Sequence, residues 1–396
     1  MMTLMYALLL LVILALALPI GLLLLQILSA GFKGGRLSPP PSLEADAQIA
    51  VLVPAHDEAR NIDSTVRGVL QELRAGDRVL VVADNCSDNT AALARAAGAE
   101  VVERQDALRR GKGYALDFGL KHLAANPPDV VVIVDADCRV GRGAMICLSS
   151  AALQAGAPAQ AHYRMALPPG AGLKIKIAGL AWRVKNLVRP LGYRRMGLPC
   201  QLMGSGMAFP WALIHRVDLA SGHLVEDLKL GLDLAQMRAS PVFVPQAEVV
   251  SAFPESAAGV TTQRRRWEHG HLGMVSVAPK LLWRGLRSAN LGLFALAADL
   301  CIPPLALLTL LTLTVAALSS LAGWLLHWTA PAVMAWALCA GLWLAIFTAW
   351  LRHGRDLLTF RELAGVPIYI LWKVPIYLSF LLRRERNWVR SAREGE

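Results

Sequence analysis

The chain has 396 residues, a hydrophobic fraction of 55% and a formal net charge of +11. That length allows a large core and more than one structural unit, while a mean hydropathy of +0.45 excludes an ordinary soluble globular protein. The basic residues gather beside apolar or amphipathic stretches (Lys174, Lys176, Arg183 and Lys185; Arg264 to Arg266; Arg383, Arg384, Arg386, Arg390 and Arg393). This placement suits an anionic membrane surface and argues against nucleic acid as a partner.

Leu4 to Leu28 carries no charge and has the length of a spanning helix. Nothing basic precedes Leu4 and the apolar run is too long for a signal-peptide core, so an uncleaved anchor is expected. Lys33 and Arg36 follow it, which by the positive-inside rule places the next domain in the cytoplasm. Gly34 to Asp46 is rich in Gly, Pro and Ser and reads as a linker. The six cysteines, Cys86, Cys138, Cys147, Cys200, Cys301 and Cys339, form no CxxC, giving little support to zinc or redox chemistry and fitting a reducing compartment.

A strand–helix alternation then begins. The predicted strands are Ile49–Val53, Arg78–Ala83, Glu100–Glu103 and Val130–Val134; the predicted helices are Ile62–Leu73, Thr90–Ala97 and Tyr114–Ala124. Continuous β-branched runs mean strands buried on both faces, as in a parallel sheet covered by helices. Such sheets bind ligands at the carboxyl ends of their strands. Acids fall there: Asp57 and Glu58 after the first strand, Asp84 after the second, Asp135 and Asp137 after the valine strand.

Pro168 to Met196 mixes apolar and basic residues in the manner of an amphipathic helix lying in a bilayer interface, with a solvated surface helix as the alternative. Trp267 to Leu286 reads similarly. Ile302–Leu326 and Ala330–Leu351 are spanning candidates, with Arg352, His353 and Arg355 marking a cytoplasmic end. Gly365–Leu382 is apolar but holds Lys373 and has basic flanks on both sides, so an interfacial or re-entrant segment is expected, giving three spans in all. The expected organisation is an anchor at 1–30, a linker at 31–46, an α/β domain at 47–255 with an interfacial helix within 170–196, a basic-aromatic and interfacial segment at 256–292, two spanning helices within 293–352, and an interfacial segment with a basic tail at 353–396.

Asp135-Ala136-Asp137 is the metal candidate. Two carboxylates at a turning strand end can hold a hard divalent cation, which stabilises the charge of a departing diphosphate; alone, the motif also suits a solvated turn. Asp57, Glu58 and Asp84 suit ribose or base hydroxyl and amide groups, whereas Asp88 and Asn89 fit a helix cap. Lys112, in Arg109-Arg110-Gly111-Lys112-Gly113, suits a phosphate contact, although the Walker spacing is absent. Asp227 is the candidate base, oriented by Glu226, though acids there also suit a helix N-terminus. In Gln263-x-x-Arg266-Trp267 the guanidinium can neutralise a diphosphate and the indole can stack on a sugar. Gly204-Ser205-Gly206 either admits an acceptor close to the backbone or is a plain turn.

Taken in order, Val53-Pro54-Ala55-His56-Asp57-Glu58, Asp84, Asp135-Ala136-Asp137, Gly204-Ser205-Gly206, Glu226-Asp227 and Gln263-x-x-Arg266-Trp267 resemble the motifs of the membrane-bound family-2 glycosyltransferases, which include cellulose, hyaluronan and poly-N-acetylglucosamine synthases and ceramide glucosyltransferase. The resemblance covers Val51 to Trp267. It implies an α/β, type-A glycosyltransferase (Rossmann-like) cytoplasmic domain with N- and C-terminal transmembrane helices, an inverting hexosyltransferase, and Mg²⁺ or Mn²⁺ as cofactor. It implies that Asp84 and Asp135 touch the nucleotide, Asp137 holds the metal, Asp227 is the base, and Gln263, Arg266 and Trp267 line the donor–acceptor cleft. Val225 departs from the usual threonine before the two acids. The expected function is transfer from a nucleotide-diphosphate sugar, a UDP-sugar by preference, to a lipid or lipid-linked saccharide at the inner membrane. The alternatives are a processive polysaccharide synthase working with partner subunits or as an oligomer and, more distantly, a non-enzymatic transporter or scaffold.

Overall fold

The computed structural model describes residues 2–31, 43–44, 46–253 and 257–382. Lys33, Arg36, most of the expected linker and the basic tail beyond residue 382 lie outside the described residues.

In chain order, helix α1 (Met2–Gly31) precedes β1 (Ile49–Ala55), α2 (Ile62–Leu70), β2 (Arg78–Asp84), α3 (Thr90–Ala96), β3 (Glu100–Arg104), α4 (Lys112–Leu123), β4 (Val130–Ile133) and β5 (Arg139–Val140). Then follow α5 (Ala144–Ala155), β6 (Ala159–Ala166), α6 (Leu173–Arg183), a π-helical turn (Val184–Val188) and α7 (Arg189–Arg195). Next come β7 (Met207–Pro210), α8 (Trp211–Ile214), α9 (Glu226–Gln236), β8 (Val242–Ala252), α10 (Ala257–Val275), α11 (Ala278–Arg287) and α12 (Leu291–Leu300). Three long apolar helices close the described chain: α13 (Leu305–Leu326), α14 (Thr329–His353) and α15 (Val366–Leu382).

One mixed sheet of eight strands runs β3-β2-β1-β4-β7-β6-β8-β5. The first four strands are parallel, as the valine-rich runs require. Val51, Val53, Val79, Val81, Val130 and Val132 face one core, and Leu52, Leu80, Val82, Val131 and Ile133 face another. With both faces covered, strand alternation carries no polar residue and the sequence reads as an unbroken apolar run. The other half of the sheet departs from the all-parallel expectation. β7 is antiparallel to both β4 and β6, and β5 is antiparallel to β8. Strand order reverses between β1 and β4, which opens a crevice at their carboxyl ends.

The segment expected to be one interfacial helix is three pieces. Val184, Val188, Leu191 and Tyr193 are buried, so α7 is a core element and not a surface helix. Burial extends to charge. Arg189 donates to Asp299 Oδ1 at 2.8 Å and to Gln26 Oε1 at 3.1 Å, and Gln26 Nε2 donates to Asp299 Oδ1 at 2.6 Å. A Cβ on Gly192 would meet the Gln26 carbonyl carbon at 2.7 Å, so only glycine lets α7 press against α1 there. The cluster fastens α1 to α7 and α12 through buried hydrogen bonds, where losing one partner of an ion pair costs about 3–5 kcal/mol.

Four helices among the described residues are long and apolar enough to cross a membrane: Met2–Gly31, Leu305–Leu326, Thr329–His353 and Arg361–Phe380. Three of these are the expected spans. The fourth contains most of α15, the segment expected to be interfacial, which by length and composition passes despite Lys373. That lysine is buried in an ion pair with Glu268 of α10, which removes the penalty an exposed charge would carry.

Candidate functional site

A cavity of about 570 Å³ opens at the crevice between β1 and β4. Its walls bring together Glu58, Asp84, Lys112, Asp135, Asp137, Gly204, Glu226, Asp227, Gln263, Arg266 and Trp267, although these residues span more than half the chain. Three residues of the expected set do not line it: Asp57, Ser205 and Gly206.

Asp57 has a left-handed φ of 51° and turns its carboxylate onto the neighbouring loop, accepting from Ser87 N at 2.6 Å and Ser87 Oγ at 3.1 Å. It shapes the turn that follows β1 and does not line the cavity. Ser205 is fully buried, and its Oγ accepts from Asp135 N at 3.0 Å. Gly206, with φ of 66°, sits where a Cβ would strike Ala161 and Val249 at 2.8 Å. Both residues support the metal-candidate loop from behind, and of this motif only Gly204 lines the cavity.

Asp135 and Asp137 flank Ala136 just past β4, and with Cys138 they form a group whose ligand atoms lie within 4.8 Å of one another. Asp137 accepts from Ser251 Oγ at 3.3 Å. Burial, reinforced by the two aspartates, raises the Cys138 thiol well above its ordinary value, so it stays protonated and is a poor ligand. The donor set is thus two carboxylates, which suits a hard, oxygen-seeking divalent cation. Lys112, at the start of α4, holds Asp135 in an ion pair, donates to Gly204 O at 2.7 Å and lies 4.0 Å from Glu226. Burial pulls its pKa down, but Asp135 and Glu226 more than offset this and keep the ammonium charged.

Glu226 and Asp227 occupy the first turn of α9, where the helix N-terminus favours anions. Burial opposes this. It pushes Glu226 up to about 7 against the pull of Lys112, with Asp227 adding repulsion. Asp227 is also raised by burial, again against Lys112. Asp227 faces Gly204, whose missing side chain leaves room: a Cβ there would sit 3.4 Å from Asp227 Oδ2. Across the cavity, Asp84 accepts from Arg104 Nη1 at 2.6 Å, while burial keeps its carboxyl above the ordinary value.

Gln263, Arg266 and Trp267 fall at positions i, i+3 and i+4 of α10 and so share one helical face. Trp267 stacks at 37° on Trp182, with ring centroids 4.7 Å apart. Trp182 is one of the residues that the sequence did not single out. Lys185, Asn186 and Arg189 are others, carried into the cavity wall by the π-helical turn. Burial lowers the Lys185 pKa, and Asp227 opposes the effect. The available signal was the basic spacing within Leu173–Arg189, but a helical period of 3.6 assigns these side chains to a membrane-facing stripe. The π turn adds a residue and shifts that phase.

The family model described as "Glycosyltransferase like family 2" matches residues 47–270. Glucosyl-3-phosphoglycerate synthase of Mycolicibacterium paratuberculosis is 40% identical over 101 residues, which is 24% of this chain and 30% of that protein. The chain therefore aligns with less than a third of the length of that relative. The mannosyltransferase PcManGT from Pyrobaculum calidifontis, solved with GDP-Man and Mn²⁺, is 18% identical with a TM-score of 0.60, and the match covers 94% of this chain and 99% of that one. Glucosyl-3-phosphoglycerate synthase from Mycobacterium tuberculosis, solved with Mn²⁺, UDP and phosphoglyceric acid, is 22% identical with a TM-score of 0.39 over 57% of this chain and 79% of that one. The similarity to the Pyrobaculum structure extends over the terminal helices as well as the sheet.

Proposed function

The chain belongs to the family-2 glycosyltransferases, and from that premise we propose that it transfers a sugar from a nucleotide-diphosphate donor to a lipid-borne hydroxyl, with inversion at the anomeric carbon. The observation that carries the reading is the convergence of the strand-end acids, the Glu226–Asp227 pair and the Gln263–Arg266–Trp267 face in one cavity. Asp84 and Glu58 suit the nucleoside. Asp137 and Asp135 fit Mg²⁺ or Mn²⁺, and when bound the ion stabilises negative charge on the diphosphate. Arg266 supplies further positive charge to the leaving group, and Trp267, braced by Trp182, offers an apolar face to the sugar. Asp227 accepts the acceptor's proton as the hydroxyl oxygen bonds to the anomeric carbon. The bond from that carbon to the diphosphate breaks, and its electron pair leaves with the diphosphate.

A lipid acceptor is supported by the terminal helices and by a second, largely apolar pocket that shares Trp182, Lys185 and Trp267 with the catalytic cavity. We place the catalytic domain on the cytoplasmic side and α15 along the membrane face, because Lys373 pairs with Glu268 and Lys174 sits over Trp372 at 4.9 Å. Both contacts tie α15 to catalytic-domain helices. The function is tested by offering a panel of nucleotide sugars with Mn²⁺ or Mg²⁺ and reading nucleotide release. One donor is expected to stand out, and release from none of them would overturn the assignment.

The buried acids also set a pH response. Because both pKa values lie above the ordinary carboxylate range, the pair takes up a proton as pH falls through a region extending to about 7. Only the ionised base accepts a proton, so kcat/KM falls on the acid side, with a midpoint that belongs to the pair. Stability runs the other way: the folded state retains a proton between 4.5 and about 7, so the contribution of Glu226 is present at low pH and lost as pH rises. Glu226→Gln removes the repulsion within the pair and is expected to move the acid limb of the profile to lower pH. An unmoved limb would separate Glu226 from the base.

A further inference from the structure

Helix α10 presents two faces to two cavities. Gln263, Arg266 and Trp267 face the catalytic one, while Arg264, Glu268 and His271, at i, i+4 and i+7, line a second of about 170 Å³. This second pocket runs between α6, α10, α13 and α15, and apolar side chains such as Ile177, Leu305 and Ile370 make up most of its wall. It holds an unusual density of positive charge for so greasy a space. Glu268 is already paired with Lys373, and Arg189 with Asp299. Two cations are left over. Arg264 is 5% exposed, and both of its terminal guanidinium nitrogens lack a hydrogen-bond partner, its neighbours being the rings of Tyr369 and Trp372 at 5.7 and 5.4 Å. Lys185, which makes no ion pair among the described residues, stands on the wall common to both cavities. Beside it Asn186 is 1% exposed, and its amide nitrogen is also unpartnered on the catalytic side.

Buried donors left unsatisfied cost free energy, and a buried guanidinium without an acceptor costs more than a neutral group. Two such groups, Arg264 and Asn186, together with the exposed Lys185 on the wall common to both cavities, mark a path from an apolar groove towards Asp227 and describe a receptor for an amphiphile with an anionic head. We infer that the acceptor is a lipid alcohol carrying a phosphate group, held by Arg264 and Lys185 at the neck between the cavities. Its chains lie along α13 and α15, and its free hydroxyl reaches Asp227. The inference rests on the transferase reading of the catalytic cavity. A planar guanidinium suits two phosphate oxygens at once, and a lysine serves a third as a point charge. A neutral lipid alcohol would leave the buried Arg264 guanidinium unsatisfied.

The test uses the purified full chain in mixed micelles containing brominated phosphatidylglycerol or brominated diacylglycerol. Quenching of tryptophan fluorescence reads binding, and labelled donor reads transfer. The phosphate-bearing lipid is expected to bind at least roughly tenfold more tightly than the neutral one, and Arg264→Gln to erase that difference. Lys185→Gln is expected to do the same and serves if Arg264→Gln does not fold. Retained nucleotide-sugar binding by Arg264→Gln, whose side chain lines only the second pocket, shows that the catalytic cavity is intact, and unchanged thermal unfolding shows the same of the fold of Lys185→Gln. Equal binding of both lipids, or an unchanged preference in both variants, overturns the inference. So does tight binding of the anionic lipid with the label appearing only on the neutral one, since the phosphate would then belong to a bound companion and not to the acceptor. Nucleotide-sugar binding without lipid is scored separately: failure to bind any nucleotide sugar would sink the transferase reading and leave the lipid preference standing.

Discussion

Replacing Asp227 by Asn lowers kcat by roughly 10²–10⁴-fold, the range a positioned general base contributes. The amide keeps the shape of the side chain and its hydrogen-bonding reach but cannot accept the acceptor's proton. The KM for donor should change little, because the proton moves only in the transition state. Nucleotide-sugar binding and thermal unfolding are measured alongside, and both should resemble those of the parent chain. The substitution removes one negative charge from a crowded site where burial already penalises the carboxylate, so the variant should be no less stable. Undiminished transfer would strip Asp227 of its role and return the pair to a helix-capping function at the start of α9.

Asp137→Asn is expected to reduce transfer by at least roughly 10²-fold, comparable to losing a principal charge-stabilising group. Two features separate this loss from that of the base. First, Mn²⁺ binding itself should weaken, which isothermal titration reads without any turnover. Second, part of the activity should return at high Mn²⁺ concentration, since Asp135 remains. In the structure Asp135 is held by Lys112, and Asp137 accepts from the Ser251 hydroxyl at 3.3 Å. Unaltered Mn²⁺ affinity in the variant would move the metal elsewhere.

Much of this site was legible from the chain because its chemistry sits at strand ends and helix starts. Val130 to Ile133 is buried on both faces, so the run of valines announces the strand, and the next acids fall at its carboxyl end by necessity. Glu226 and Asp227 were legible as a pair and Lys112 as a cation suited to phosphate, but the bridge Lys112 makes between Asp135 and Gly204 was not. Sequence gives no measure of such cross-cavity contacts. The strands beyond β4 were missed. β7 has four residues and β5 two, too short for periodicity to register, while the longer β6 and β8 pair with each other from far apart in the chain, Ala159 against Val242, and all owe their pairing to distant partners. Asp57 followed the strand-end rule by position but not by direction, because its left-handed backbone swings the carboxylate onto Ser87.

The contact among Gln26, Arg189 and Asp299 changes what the first helix means. Any sufficiently greasy segment could moor a protein to a bilayer, and a leash of that kind would be interchangeable. Here one amide in the middle of an oily rod completes a circuit on the far side of the molecule, and one absent methyl on α7 sets how closely the rod can approach. The mooring thus also braces two residues in the wall of the reaction chamber: a transplanted anchor matched for greasiness alone would hold the enzyme at the bilayer yet leave Arg189 and Asp299 without their bridging amide.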